Sequence, residues 1–171
     1  MPDPFPLLAI DPGRLTGWAA IAGPEDEVES GTVEMIGANT GAKMLSARLR
    51  FYNMIDHYQP ALLYIEDGFV PKHMDKNSTM MLFGYRCILE MEAHKAGIPL
   101  RALKPSTIKH QVAGKGSADK AQMMAAVRFL GYDPKDDNEA DSIALLECAM
   151  WKECPQLWSA RDSKRVFKVG T

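Results

Sequence analysis

Several things this sequence lacks narrow its chemistry. Cysteine is scarce: Cys87, Cys148 and Cys154 are odd in number and show no CxxC spacing, which points to free thiols in a reducing compartment and away from a disulfide framework or a paired zinc site. No stretch of about 18 apolar residues occurs, and the Met-Pro-Asp-Pro start lacks the basic opening of a signal peptide. A soluble, cytoplasmic protein without membrane contact is the expectation. With no G-x-S-x-G elbow and no Walker A loop, acyl transfer through a serine nucleophile and P-loop nucleotide hydrolysis both lack their machinery. Positive charge is not in excess either. Twenty Lys and Arg against 22 Asp and Glu give a formal charge of −2, so bulk electrostatics does not announce a nucleic-acid partner.

What is present suits one domain: 171 residues, 46% of them hydrophobic, are enough for a substantial core. Leu7 to Ile10 is a continuous apolar run closed by Asp11-Pro12-Gly13, as expected of a central strand buried on both faces. Residues 16–22 and 27–35 read as two further strands around the turn Gly23-Pro24-Glu25-Asp26, which completes a meander. Apolar residues recur at helical spacing over 42–58, a second buried run covers 61–65 and ends at Glu66, and a long apolar helix is expected over 77–96. A short strand at 98–102 and helices over 105–113, 118–130 and 138–152 follow. The order is that of an α/β protein with a five-stranded mixed sheet: an antiparallel β1-β2-β3 meander, then parallel strands, flanked by helices. The single domain is expected to span 1–153. Residues 154–171, with Arg161, Lys164, Arg165 and Lys168, read as a basic C-terminal tail.

Three acidic positions carry the chemistry. Asp11 and Glu66 each follow a buried strand, where α/β sheets gather functional groups, although an acidic residue there is commonly a turn former. Asp141 lies in Asp136-Asp137-Asn138-Glu139-Ala140-Asp141, at the start of an apolar helical pattern, with Asn138 three residues before it on one helical face. Asn138 or Asp137 could cap that helix, with Asp141 complementing its dipole. Carboxylates that converge repel one another, and Mg²⁺ or Mn²⁺ relieves the repulsion through oxygen ligands. Two such ions about 4 Å apart would clamp a phosphodiester without any covalent nucleophile. Lys104, Lys109, His110, Lys115 and Lys120 lie close together in sequence and could serve a phosphate substrate, or be ordinary solvated side chains. His73 and His94 read as surface residues.

The sequence resembles the RuvC-type Holliday-junction resolvases, particularly their bacteriophage and prophage members. Leu8-Ala-Ile-Asp-Pro-Gly13 with Thr16-Gly17 is similar to the family's first strand, and Tyr64-Ile-Glu-Asp-Gly-Phe69 to its second acidic motif. Thr107 to Gly114 with Gly116-Ser-Ala-Asp-Lys-Ala-Gln122 is similar to its basic segment, and Glu139-Ala-Asp-Ser-Ile-Ala-Leu145 to its closing helix. The resemblance implies an RNase H-like fold, a homodimer, and a metal-dependent endodeoxyribonuclease that nicks branched DNA symmetrically. It also implies Asp11, Glu66 and Asp141 as metal ligands, Lys109 and Lys120 as active-site lysines, and Phe69 as a side chain that stacks on junction bases. From the basic cluster, Lys104, His110, Lys115 and Lys120 are the expected DNA contacts. Where well-known members carry Asp or His three residues before the last ligand, this chain has Asn138. That leaves Asn138 or Glu139 as the fourth ligand. Rival readings are an RNA-processing nuclease of the same superfamily, an actin-like ATPase, which would need a second domain, and a junction-binding protein with weak or no cleavage.

Overall fold

Buried strands whose two faces are both apolar need helices on both sides, and this chain supplies them. The computed structural model describes residues 4–68, 74–159 and 161. Strands β1 (Leu7–Asp11), β2 (Leu15–Ile21) and β3 (Glu29–Glu34) form the meander, followed by α1 (Thr40–Tyr58), β4 (Leu62–Glu66), α2 (Lys76–Lys95) and β5 (Leu100–Leu103). Helices α3 (Pro105–Ala113), α4 (Lys120–Phe129) and α5 (Asp137–Glu153) complete the order. The five strands lie in the order β3-β2-β1-β4-β5. β1 runs antiparallel to β2 and parallel to β4, and β4 runs parallel to β5, so the mixed sheet is as expected.

Alternation along the strands divides the core in two. Leu7, Ala9, Ala19, Ile21, Leu62 and Tyr64 pack with α3, α4 and α5. Leu8, Ile10, Ala20, Leu63 and Ile65 pack beneath α1 and α2 on the opposite face. Every residue of Leu7–Ile10 and Leu62–Ile65 is buried, which is why both strands read as unbroken apolar runs.

Element boundaries follow local capping. α4 starts at Lys120 and not at 118, because Asp119 accepts from the Gln122 N–H while the Gln122 side chain accepts from the Asp119 N–H. α5 is capped by Asp136, not by Asn138 or Asp137 as expected, since the Asp136 carboxylate takes the Glu139 N–H at 2.9 Å. Gly97 ends α2 with a left-handed backbone, φ 71°. β3 is shorter than expected and begins at Glu29.

Part of the segment after 153 is attached to the domain. Residues 155–159 are helical. Trp158 packs on the α5 core, and its Nε1 donates to Glu147 at 2.8 Å. Arg161 donates to the Pro24 and Asp26 carbonyls at 2.9 and 3.0 Å. Lys164, Arg165 and Lys168 lie outside the described residues. Among the described residues, no helix is long and apolar enough to cross a membrane. On α2 only Tyr85, Leu89, Glu92 and Ala93 are buried, while Met80, Phe83 and Met91 are exposed beside Leu45, Leu49 and Tyr52 of α1.

Candidate metal and phosphate site

The strand period places the carboxylates. Leu7 and Ala9 face α5, so Asp11, two residues on, continues the same face; Leu62, Tyr64 and then Glu66 do likewise on β4. β1 and β4 are parallel and pair Ile10 with Ile65, so the next step along the register sets Asp11 beside Glu66. Both project from the carboxyl ends of adjacent central strands. Asp141 comes down to them from the first turns of α5, the helix packed on that face.

The N-terminus of α5 is tied to the sheet at several points. The Thr32 hydroxyl donates to the capping Asp136 carboxylate at 2.8 Å. Glu139 is buried, and its carboxylate accepts from the Ser30 hydroxyl and the Lys135 N–H, both at 2.8 Å. Gly17, opposite Asp11 on β2, lets the helix approach: a Cβ there would sit 2.0 Å from the Asn138 carbonyl oxygen. Buried Thr16 closes the turn after Asp11 by donating to the Gly13 carbonyl at 2.7 Å and accepting the Gly13 N–H at 3.1 Å.

These carboxylates feel one another. Burial, reinforced by Asp141 and opposed by Lys120, pushes Asp11 up to about 6. Glu66 is pushed up to about 7 by burial and then by Asp11 and Asp141, with Lys109 opposing. Asp141 is raised by burial foremost, while Lys120 and Lys109 pull it down and Asp137 adds to the rise. Asp11, Glu66, Asp141, Lys109 and Lys120 thus share one electrostatic neighbourhood. Among the described residues, no three His, Cys, Asp or Glu side chains form a closed group poised to hold a metal ion. The carboxylates converge without closing, as like charges in a partly buried cleft should. Their chemistry still fits a hard divalent cation: all three are oxygen donors, and each would lose an unfavourable proton or a repulsion on binding one.

A cleft of about 90 Å³ lies against Asp11 and Glu66, with Phe83 and Arg86 of α2 on its wall. A separate cleft of about 610 Å³, between the C-terminal ends of α1 and α2, contains none of the three carboxylates. Lys104, His110 and Lys115 are exposed along α3 and the turn after it. Phe69 and His73 fall outside the described residues. Three neighbours escaped the sequence reading. Asp137 is bonded to Lys120, and Arg86 reaches Asp67 at 3.6 Å and Glu90 at 2.9 Å beside the cleft. Phe83 was absorbed into a generally apolar helix. The only advance signal was for Asp137, an acidic residue one helical turn before Asp141.

Comparison with known proteins agrees with this layout. Residues 7–149 match the family model described as crossover junction endodeoxyribonuclease RuvC. A Ruegeria pomeroyi protein of that name is 30% identical over 162 residues, covering 91% of this chain and 97% of its own. The Chloroflexus aggregans protein of the same name is 32% identical, covering 82% and 90%. Among solved structures, Thermus thermophilus RuvC superposes with a TM-score of 0.70 at 20% identity, over 87% of this chain and 96% of that one. The yeast mitochondrial Holliday junction resolvase Ydc2 gives 0.62 at 15%, over 96% and 83%. Both of these likenesses are of fold, the RNase H-like sheet and its helices. The extent of the family match shows that this chain belongs to the crossover junction endodeoxyribonuclease RuvC family.

Proposed function

We propose that this chain is a divalent-metal-dependent endonuclease that resolves four-way DNA junctions by paired symmetric nicks. The observation that carries the reading is the convergence of Asp11, Glu66 and Asp141 with Lys109 and Lys120, in a chain of this family. A Thermus thermophilus RuvC of the same fold has been solved in complex with a Holliday junction substrate, which supports DNA of that class as the ligand.

Asp11 ends the central strand β1, next to Glu66 on β4 and opposite Gly17, the point where α5 approaches the sheet, so it is the natural bridging ligand between Glu66 and Asp141. Two Mg²⁺ or Mn²⁺ ions held there would activate water and stabilise the departing 3′ oxygen. Lys109 and Lys120 supply the cationic rim that orients the scissile phosphate and offsets its developing charge. Lys104, His110 and Lys115, all exposed, would contact the DNA backbone. Phe69 takes the base-stacking role. Glu139 is a poor fourth ligand, because its carboxylate is engaged by Ser30 and Lys135. Asn138 is the better of the two expected candidates.

The exposed apolar face of α1 and α2 supports a homodimer. Leu45, Leu49 and Tyr52 are one turn apart on α1, and Met80, Phe83 and Met91 lie on the adjacent α2. A two-fold axis through this face would present two catalytic sites to a two-fold junction.

A labelled four-way junction, a linear duplex and an RNA, each incubated with and without Mg²⁺ or Mn²⁺, test the reading. Paired nicks in the junction that vanish in Asp11→Asn are expected. Binding without cleavage in either metal would favour the second reading, a junction-binding protein, which the neutral Asn138 favours. Preferential RNA cleavage would overturn junction resolution.

A further inference from the structure

Lys120 is the first residue of α4, where a positive charge meets the positive end of the helix dipole. Its side chain is 76% exposed and has four rotatable bonds, yet Asp137 foremost, and then Asp141 and Asp11, favour its charged form. Among the described residues the partner that holds it is Asp137, whose Oδ2 accepts from Lys120 Nζ. Asp137 opens α5, four residues before Asp141, so the two acidic side chains stand one turn apart on a single helix face. α5 in turn is anchored to the sheet through Asp136, Thr32, Glu139 and Ser30. The anchored helix therefore carries a fixed counter-ion for a lysine that belongs to a different helix.

We propose that Asp137 is a positioning residue: it holds the Lys120 ammonium over the Asp11 and Asp141 side of the site, so that an arriving phosphate meets a preset cation. The inference rests on the reading of Lys120 as a phosphate-contacting residue. Oriented groups gain rate because their freedom is lost before the reaction. A plain exposed ion pair does nothing of the kind, and its removal leaves stability nearly unchanged. The two pictures also differ in sign for DNA. Deleting a negative charge beside a phosphate strengthens binding by Coulomb's law alone, whereas loss of positioning slows cleavage.

The test is a double-mutant cycle on the full chain with Asp137→Asn and Lys120→Ala, reading single-turnover junction cleavage, junction affinity and Mn²⁺ affinity without DNA. Asp137→Asn is expected to slow cleavage about tenfold, to bind junction as tightly as the wild type or more so, and to leave Mn²⁺ affinity unchanged. In the Lys120→Ala background it should cost nothing further, and Asp137→Glu should recover part of the rate. Acylation of the free protein by acetic anhydride, mapped by mass spectrometry, gives a readout independent of cleavage: Lys120 should react several-fold faster in Asp137→Asn, as expected of an amine freed from its ion pair. An equal rate loss in the Lys120→Ala background, weakened Mn²⁺ binding, or unchanged Lys120 acylation would overturn the proposal. Wild-type cleavage by Lys120→Ala alone would overturn the reading of Lys120 on which it rests.

Discussion

Gly17 and Asn138 meet backbone to backbone: a Cβ on Gly17 would lie 2.0 Å from the Asn138 carbonyl oxygen and 3.2 Å from the Ser142 Cβ. Gly17 pairs with Asp11 across β1 and β2, and Asn138 stands three residues before Asp141. This contact therefore sets the distance between the strand-borne and the helix-borne carboxylates. Gly17→Ala must push the first turn of α5 off the sheet, and overpacking of this kind costs about 1–3 kcal/mol. For a chain of this size that lowers Tm by roughly 2–12 °C. Cleavage should fall by about 10²-fold, out of proportion to the stability loss. Thermal denaturation and single-turnover cleavage check both; a variant that melts lower but cleaves normally would show that the contact does not set the site.

How much of this was legible beforehand depends on the range of the interaction. Leu7–Ile10 and Leu62–Ile65 announced buried strands because their burial is complete on both faces, and Asp11 and Glu66 were visible at their ends. Gly97 and Pro105 punctuate helices through local backbone preferences, so those boundaries were also readable. The cap of α5 was misplaced because Asp136, Asp137 and Asn138 are all good caps in isolation. Asp136 is preferred because Thr32, over a hundred residues away, also donates to it. The Lys120–Asp137 pair and the Gly17 contact are likewise tertiary events. A sequence pattern holds Gly17 as a glycine without saying which backbone presses on it.

Asp136→Ala removes both the N-cap and the acceptor for Thr32. Loss of an Asp cap costs about 0.5–2 kcal/mol, and a stranded partly buried hydroxyl adds to it. Thr32→Val removes only the second contribution and should be milder. Chemical denaturation of the two variants should rank them in that order, with unchanged m-values.

Asp11 and Glu66 keep their protons to about 6 and about 7, against ordinary values of 3.8 and 4.5, chiefly because burial penalises their charged forms. Below 3.8 and 4.5 the folded and unfolded chains are both protonated at these sites, and neither group affects stability. As pH rises towards about 7 the unfolded chain releases protons that the folded chain retains, so stability falls in metal-free buffer. Asp11→Asn removes one of these penalties, on the order of 3 kcal/mol at full ionisation. Its Tm advantage over the wild type in EDTA should be small near pH 4 and grow until about 6. Mn²⁺ should stabilise the wild type more than the variant. A Tm difference that stays flat with pH would show that Asp11 does not carry the raised affinity for its proton.

Lys120→Ala should separate chemistry from binding. Withdrawal of one cation from the developing charge of the scissile phosphate costs about 10²-fold in single-turnover rate. A single phosphate contact among many lowers junction affinity only modestly at moderate salt, and the salt slope should fall by about 1. Equal losses in rate and affinity would reduce Lys120 to a general phosphate contact.

The exposed face of α1 and α2 predicts the oligomeric state. Leu45 and Leu49 are 67% and 60% exposed one turn apart, and Met80 and Phe83 are 59% and 49% exposed on the neighbouring helix. A stable interface buries about 800 Å² per partner, with apolar residues at its centre. Leu49→Asp places a charge where a second copy would exclude water, so the chain should elute as a monomer in size-exclusion chromatography with light scattering, with its circular dichroism unchanged. Phe83 also walls the cleft against Asp11 and Glu66, which joins the two features in space. The monomeric variant should therefore lose the pairing of the two nicks before it loses nicking itself. A Leu49→Asp protein that remains dimeric would place the interface on another face.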